Sequence, residues 1–313
     1  MRIVVTGSNG FIGCHLTALL KARGHSVWGL DADVVPVPAW LRKERSLLSG
    51  VAAASCDITD VDSLAEILKS LAPEVVVHLA AKPGVAGAEV DPASYEAVNV
   101  RGVANLIDAC DRAEVRRIVH ASSSSVYGHA IGAIAETTEL RPIGHYGRTK
   151  VVGEGLLEAA SGSRGMDVIV LRPFSVIGSR GRPDMAPWRF ADDLLSGRAV
   201  PIHEGAGRDF TSVHDVANAF ARAAETGIPG YHVANIGAGE PRLAVELAER
   251  LADVLGCKCG MRPRPLPLYM PVSTHADIGE ASALLGWSPK VKFVDSVTEF
   301  GEWFKTRTSV FGR

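Results

Sequence analysis

Tyr146 and Lys150 lie four positions apart in Tyr146-Gly147-Arg148-Thr149-Lys150. On a helix this spacing puts both side chains on one face, where the Lys150 ammonium favours the ionised form of the Tyr146 phenol. A phenolate held near neutral pH is a base. The same pattern arises by chance on solvated helices, so its meaning depends on the rest of the chain. Near the start runs Gly7-Ser8-Asn9-Gly10-Phe11-Ile12-Gly13, its glycines spaced three and three. Such glycines permit a sharp turn, close backbone approach to a pyrophosphate and tight packing of helix on strand. The free N–H groups of the helix that follows favour negative charge. A base and a dinucleotide fingerprint together describe a redox site.

These residues require a scaffold that brings them together. Residues 2–6 form a short, mostly apolar run that stops at Gly7, and 11–20 reads as a helix, giving strand, tight turn, helix. The pattern recurs with strands near 26–30 and 51–55, a helix across 61–71 and the apolar strand Val75-Val76-Val77. Near-continuous apolar strands alternating with helices predict a parallel sheet covered on both faces. A long helix across 93–113, a strand at 117–121, the helix carrying Tyr146 and Lys150, and a strand at 168–171 extend it. After Pro173, segments rich in Gly, Pro and Arg (178–187, 205–208, 262–271) predict surface loops that carry binding groups. The expected class is α/β, a Rossmann doubly wound parallel sheet with a smaller C-terminal α/β lobe. Residues 1–172, completed by 213–236, would form the NAD-binding domain; 173–212 and 237–313 would form the substrate-binding lobe.

Composition narrows the possible partners. With 313 residues and 47% hydrophobic content, the chain can bury a sizeable core. The 33 Lys+Arg nearly balance 35 Asp+Glu, and no long basic run tracks a phosphate backbone, which argues against nucleic acid. No apolar stretch reaches the roughly 20 residues that span a bilayer, and the opening run leads into a Gly-rich turn rather than a signal peptide. A soluble cytoplasmic protein with no membrane attachment is expected. Of five cysteines only Cys257 and Cys259 are close, one residue apart, and all five read as small buried hydrophobes or surface thiols. The ten His residues show no zinc-site spacing, so no metal is expected.

Asp31 falls eighteen residues after Gly13, at the end of the second strand. An acid there accepts hydrogen bonds from the adenosine ribose hydroxyls and repels a 2′-phosphate, which predicts NAD rather than NADP. Asp57 and Ile58 follow the third strand, suited to contact the adenine. His78-Leu79-Ala80-Ala81 ends the fourth strand with small residues that let a cofactor pass close to the backbone. Ala121-Ser122-Ser123-Ser124-Ser125-Val126-Tyr127-Gly128 follows the fifth, where hydroxyls can bond a reacting alcohol. The cofactor candidates are thus Gly7, Asn9, Gly10, Phe11, Ile12, Gly13, Asp31, Asp57, Ile58, Leu79, Ala80, Ala81 and Ser122, with Tyr146 and Lys150.

Together with Asn99, Leu171-Arg172-Pro173, Arg208-Asp209-Phe210, Asp215 and Leu285-Gly286-Trp287, these motifs resemble the extended short-chain dehydrogenase/reductase family over nearly the whole chain. They are most similar to its nucleotide-sugar epimerases and dehydratases. The resemblance implies Ser123 as the catalytic hydroxyl, Tyr146 as the base and Lys150 as the residue that binds the nicotinamide ribose and lowers the phenol pKa. It adds Asn99 and Pro173 to the cofactor contacts. The implied chemistry is loss of the sugar 4-hydroxyl proton to Tyr146 as NAD takes the C4 hydride, giving a 4-keto sugar.

Related 4,6-dehydratases place Asp and Glu at the positions of Ser124 and Ser125, and UDP-xylose-forming decarboxylases carry Glu at that of Ser125. This chain has neither carboxylate, so both reactions lose a group they use. Epimerisation needs no further acid or base. Four serines followed by Val-Tyr-Gly look most like the UDP-glucuronate 4-epimerases, as does 174–186, with Ser175 where that subfamily has Thr. A small hydroxyl at Ser175, with Ser124 and Ser125, would hold a sugar carboxylate by several neutral hydrogen bonds, and Arg182 is the candidate cation near the substrate. By the same resemblance Arg189 and Arg208 would contact the diphosphate or base, and Asp277 would lie on the substrate side; Arg208 beside Asp209 could equally be an ion-pair partner. One departure is Ala86, where the subfamily has Arg, and Lys82 is the candidate to supply that charge. The expected partner is a UDP-sugar, and the expected assembly a homodimer built from paired helices. A 4-epimerase of a neutral UDP-hexose, a dehydratase or decarboxylase using other groups, and a non-catalytic NAD-binding sensor remain open, the last because fold does not fix function.

Overall fold

The computed structural model describes residues 1–32, 37–268 and 270–310. Twelve strands occur among them: β1 (Arg2–Thr6), β2 (Ser26–Asp31), β3 (Ala53–Ser55), β4 (Val75–His78), β5 (Arg117–Ala121), β6 (Asp167–Pro173), β7 (Ser175–Ile177), β8 (Val200–His203), β9 (Gly207–Ser212), β10 (Tyr231–Ile236), β11 (Pro241–Leu243) and β12 (Met261–Arg264). The helices are α1 (Phe11–Ala22), α2 (Ala39–Ser49), α3 (Val61–Leu71), α4 (Val85–Val90), α5 (Pro92–Glu96), α6 (Gly102–Arg112), α7 (His145–Arg164), α8 (Ala186–Leu195), α9 (Val213–Glu225), α10 (Ala244–Leu255), α11 (Gly279–Leu285) and α12 (Phe293–Val310).

Seven strands pair in the order β10-β6-β5-β4-β1-β2-β3, every neighbour parallel. Successive strand residues point to opposite faces, and the chain exploits this. Ile3 and Val5 pack with Leu16 and Leu20 of α1 and Phe220 of α9, whereas Val4 and Val76 pack with Leu64 and Leu68 of α3 and Leu106 of α6. Both faces are thus dry, as the apolar strands predict. The carboxyl ends of β1, β4, β5 and β6 open on one crevice, where the glycine-rich turn and the serine run emerge.

Beyond β6 the chain builds two small sheets, β11-β9-β7 and β12-β8. They are buttressed by α8, α10 and α12 through Phe190, Leu194, Leu247, Leu251 and Phe300. Residues 213–236 form α9 and β10, with β10 pairing β6 from Tyr231↔Val168 to Ile236↔Pro173. Cys14, Cys56 and Cys110 are buried and free.

Three elements depart from the sequence reading. α2 was not expected; its mixed face of Trp40, Leu41 and Leu48 among charges masks the helical period, although Gly50 closes it in a left-handed conformation. β3 starts at Ala53, two residues late. The single helix expected over 93–113 is α5, a π-helical turn at Ala97–Arg101 and α6, and Asn99 occupies that turn.

Candidate active site

The glycine-rich turn approaches β4 so closely that side chains are excluded. Gly7 has φ +70°, and a Cβ there would lie 2.7 Å from the Ala80 amide nitrogen; at Gly13 it would lie 2.1 Å from the Gly7 carbonyl oxygen. Asp31, at the end of β2, accepts a 2.9 Å hydrogen bond from the Asn9 amide, and the buried Asn9 Oδ1 has no protein partner. A bare backbone at a helix start, an anchored acid and an unused acceptor fit a dinucleotide.

The turn forms one wall of a cleft of about 920 Å³, at the upper end of small-molecule sites. Gly7, Asn9, Gly10, Phe11, Ile12, Gly13, Asp31, Asp57, Ile58, Leu79, Ala80, Ala81, Ser122 and Pro173, the expected cofactor contacts, line it. Ser123, Ser124, Ser125, Tyr146, Lys150, Ser175, Arg182, Arg189 and Arg208 also line it. Residues separated by more than a hundred positions are thus gathered at the strand ends.

α7 presents Tyr146 at its first turn. Glu89 of α4 accepts from the His145 amide at 2.6 Å, satisfying a free N–H of that turn, and Gly147 lets the helix approach the serine segment, since a Cβ there would be 2.6 Å from the Ser125 carbonyl. The Lys150 ammonium lies 5.9 Å from the Tyr146 ring centroid and donates to the Ala121 carbonyl at 2.9 Å. Ser123 Oγ, 3.1 Å from Ser125 Oγ, accepts from the Ser125 amide at 3.1 Å. Tyr95 stands edge-on to Tyr146, centroids 6.3 Å apart, and donates to the Pro83 carbonyl at 2.7 Å.

The electrostatics modify the simple pairing of Tyr146 with Lys150. Burial raises the Tyr146 pKa, opposed first by the Arg182 cation and then by the Ser123 hydroxyl, while Tyr95 and Asp184 push it further up. Burial also lowers Lys150 to about 8, opposed by Glu154. Arg182 is therefore the leading cation acting on the phenol, a role spacing assigned to Lys150 alone.

Three candidates fall outside the cleft lining. The Lys82 ammonium turns to Ser94 Oγ at 2.5 Å and Asp91 at 3.3 Å, and sits 5.4 Å from the Tyr95 ring centroid. The charge expected to stand in for the Arg absent at Ala86 is thus paired with Asp91 in this structure. Asp277 is exposed and accepts from the Gly279 amide at 2.9 Å, at the start of α11. Asn99 spends its amide on the Lys82 backbone, at 2.8 and 3.0 Å, and on Thr149 Oγ1 at 3.2 Å; it braces the wall from behind. Arg208 donates to the Gly207 and Val272 carbonyls at 2.6 and 3.2 Å, and Arg189 is exposed on α8. Asp209 does not pair with Arg208; its carboxylate accepts instead from the Ala238, Gly239 and Ala276 amides.

Two features escaped the sequence reading. Arg42 and Arg45 of α2 line the Asp31 end of the cleft. Behind the serine run, Glu154 accepts from Ser122 Oγ and, at 3.0 and 2.5 Å, from Arg172. Arg172 also donates to Tyr127 Oη at 2.7 Å, and Tyr127 to Asn235 Oδ1 at 2.7 Å. A Glu eight residues after Tyr146 and an Arg at the end of a strand were the available signals.

A parallel sheet with a glycine-rich turn at its switch point, and a Ser, Tyr and Lys set facing that turn, define a dinucleotide-dependent enzyme of the short-chain dehydrogenase/reductase type. The chain belongs to the NAD dependent epimerase/dehydratase family, whose pattern matches residues 3–237. It is 33% identical to UDP-glucuronate 4-epimerase 2 of Arabidopsis thaliana over 97% of this chain and 76% of that one. A crystal structure of UDP-glucuronic acid 4-epimerase from Bacillus cereus in complex with UDP-glucuronic acid and NAD is 33% identical, with TM-score 0.91 over 98% of this chain and 100% of that one. UDP-glucose 4-epimerase of Thermotoga maritima, with UDP-glucose, is 28% identical, with TM-score 0.90 over 98% and 99%. Among the described residues no helix is long and apolar enough to cross a membrane.

Proposed function

We propose that the protein interconverts UDP-glucuronate and UDP-galacturonate by inverting C4 of the sugar. The observation that carries this reading is a Ser123–Ser125 segment that faces Tyr146 in the cleft and contains no carboxylate. It serves proton transfer at one hydroxyl and offers no acid or base to neighbouring carbons. The relatives named above support the acid sugar.

In this reading residues 1–172 with 213–236 hold the cofactor, and 173–212 with 237–313 hold the UDP-sugar. Tyr146 takes the 4-hydroxyl proton, Ser123 orients that hydroxyl, and Lys150 meets the nicotinamide ribose. When bound, NAD accepts the C4 hydride and returns it, and its cationic ring adds to Arg182 in lowering the phenol pKa. Between the two transfers the 4-keto sugar swings about its link to the diphosphate and presents its other face. Tyr146 then returns the proton. Arg189 and Arg208, which line the cleft, would contact the diphosphate or base. A cytoplasmic homodimer is the assembly this reading carries.

Ser124, Ser125, Ser175 and Arg182 would hold the sugar carboxylate. A β-keto acid loses carbon dioxide readily when its carboxylate is poorly solvated, so these bonds protect the intermediate. Ser175→Ala is expected to raise the ratio of 4-keto-pentose to epimer about three- to tenfold, the worth of one neutral hydrogen bond. Product analysis by NMR reads this, and an unchanged ratio rejects the role of Ser175. Removing the Arg182 cation destabilises the phenolate. Arg182→Ala should therefore move the acid limb of the kcat/KM profile to higher pH; an unmoved limb would show that Arg182 does not act on Tyr146.

The reaction itself is tested with UDP-glucuronate carrying deuterium at C4. Retention of the label at C4 of UDP-galacturonate supports oxidation and return at one carbon, and its exchange with solvent counts against it.

A further inference from the structure

Three consecutive carbonyl oxygens in the turn leading to Arg182 are held by side chains from α1 and α2, the helices beside the cofactor wall. The Ser179 carbonyl accepts from His15 Nε2 at 3.1 Å. The Arg180 carbonyl accepts from Arg45 Nε and Nη2 at 3.1 and 2.9 Å, and the Gly181 carbonyl from Arg45 Nη2 at 3.1 Å. Arg45 is only 3% exposed, yet it borders the cleft on the same side as Asp31.

Arg180 has φ +61°, a left-handed conformation disfavoured for a residue with a Cβ. Such a backbone persists where its surroundings over-determine it, and the planar fork of Arg45, spanning two successive carbonyls, does so. Two residues further on, Arg182 enters the cleft and is engaged by Asp184 through Nε at 2.9 Å and through Nη2. The turn is short, so any relaxation at 180–181 relocates the Arg182 guanidinium.

We propose that Arg45 is a positioning residue: it locks the 179–181 turn and so holds Arg182 at the substrate end of the cleft. The inference rests on the reading that Arg182 meets the substrate. One buried guanidinium then ties the Asp31 end of the site to the sugar end. Lysine cannot replace it fully, because a single ammonium does not bridge two carbonyls in a fixed plane.

The test uses the full-length protein with NAD bound, as wild type, Arg45→Met, Arg182→Ala and the double variant, with Arg45→Lys as a milder version should Arg45→Met fold poorly. Arg45→Met is expected to lower kcat/KM for UDP-glucuronate about tenfold or more alone, but less than about threefold when Arg182 is already Ala, since residues acting through one another are not additive. Hydrogen exchange of the amides of 179–182 and 184 should quicken, while the α7 amides around Tyr146 keep their protection. Additive losses in the cycle, or unchanged exchange of the turn, would overturn the proposal. If the wild type does not turn over UDP-glucuronate, the substrate reading fails separately, and the exchange measurement still decides whether Arg45 holds the turn.

Discussion

Tyr146→Phe is expected to lower kcat by about 10²- to 10⁴-fold, the range that a positioned acid–base group contributes. The loss should appear with NAD still bound at wild-type stoichiometry. In the proposed mechanism the phenol oxygen of Tyr146 exchanges the proton, whereas the cofactor would rest on the Gly7–Gly13 turn and Asp31, which the substitution does not touch. The ring is retained, so its edge-on contact with Tyr95 and the start of α7 should persist. The measurement is kcat alongside the NAD content of the purified variant. Activity within tenfold of wild type would remove Tyr146 from the proton path. Loss of NAD together with activity would mean that the phenol holds the cofactor rather than the substrate proton.

The second large effect is on stability. Glu154→Ala should lower the unfolding free energy by about 3–5 kcal/mol, because it leaves a buried charge without its partner. Arg172 and Glu154 have side chains only 5% and 4% exposed, and water cannot replace the carboxylate without opening the wall behind the serine run. The same change strips Ser122 of its acceptor and removes the anion that supports the Lys150 charge. Urea unfolding of the two proteins reads the difference, and Glu154→Gln, which keeps hydrogen-bonding atoms but not the charge, should fall between them. A loss below about 1 kcal/mol would match an exposed pair and contradict the burial argument.

What could be read in the sequence was local in its physics. The Gly7–Gly13 turn is legible because its requirement is steric and lies within seven residues, and Tyr146–Lys150 because helical spacing needs no knowledge of the fold. The alternation of apolar strands with helices led to the parallel sheet for the same reason. Residue type does not reveal that Lys82 bonds Asp91 and Ser94, or that Asp277 bonds the start of α11, outside the cleft lining. Nor does it reveal that the π-helical turn places the Asn99 amide against the Lys82 backbone and Thr149. Arg45 was overlooked, and Arg172 was named only within a motif, because their partners are distant: Arg45 reaches carbonyls 135 and 136 residues away, and Arg172 meets a carboxylate on another element. Long-range pairing of charges leaves no periodic trace.

In the proposed reaction this cleft inverts C4 of an acid sugar and preserves its carboxylate. Incubation of the protein with UDP-glucuronate and NAD, followed by proton NMR with the fate of the carboxyl carbon traced, tests it most directly. UDP-galacturonate should appear without net NADH and without carbon dioxide. Release of carbon dioxide with a pentose product would contradict the claim and make the enzyme a decarboxylase, and no turnover of UDP-glucuronate alongside conversion of UDP-glucose would assign the site to neutral hexoses.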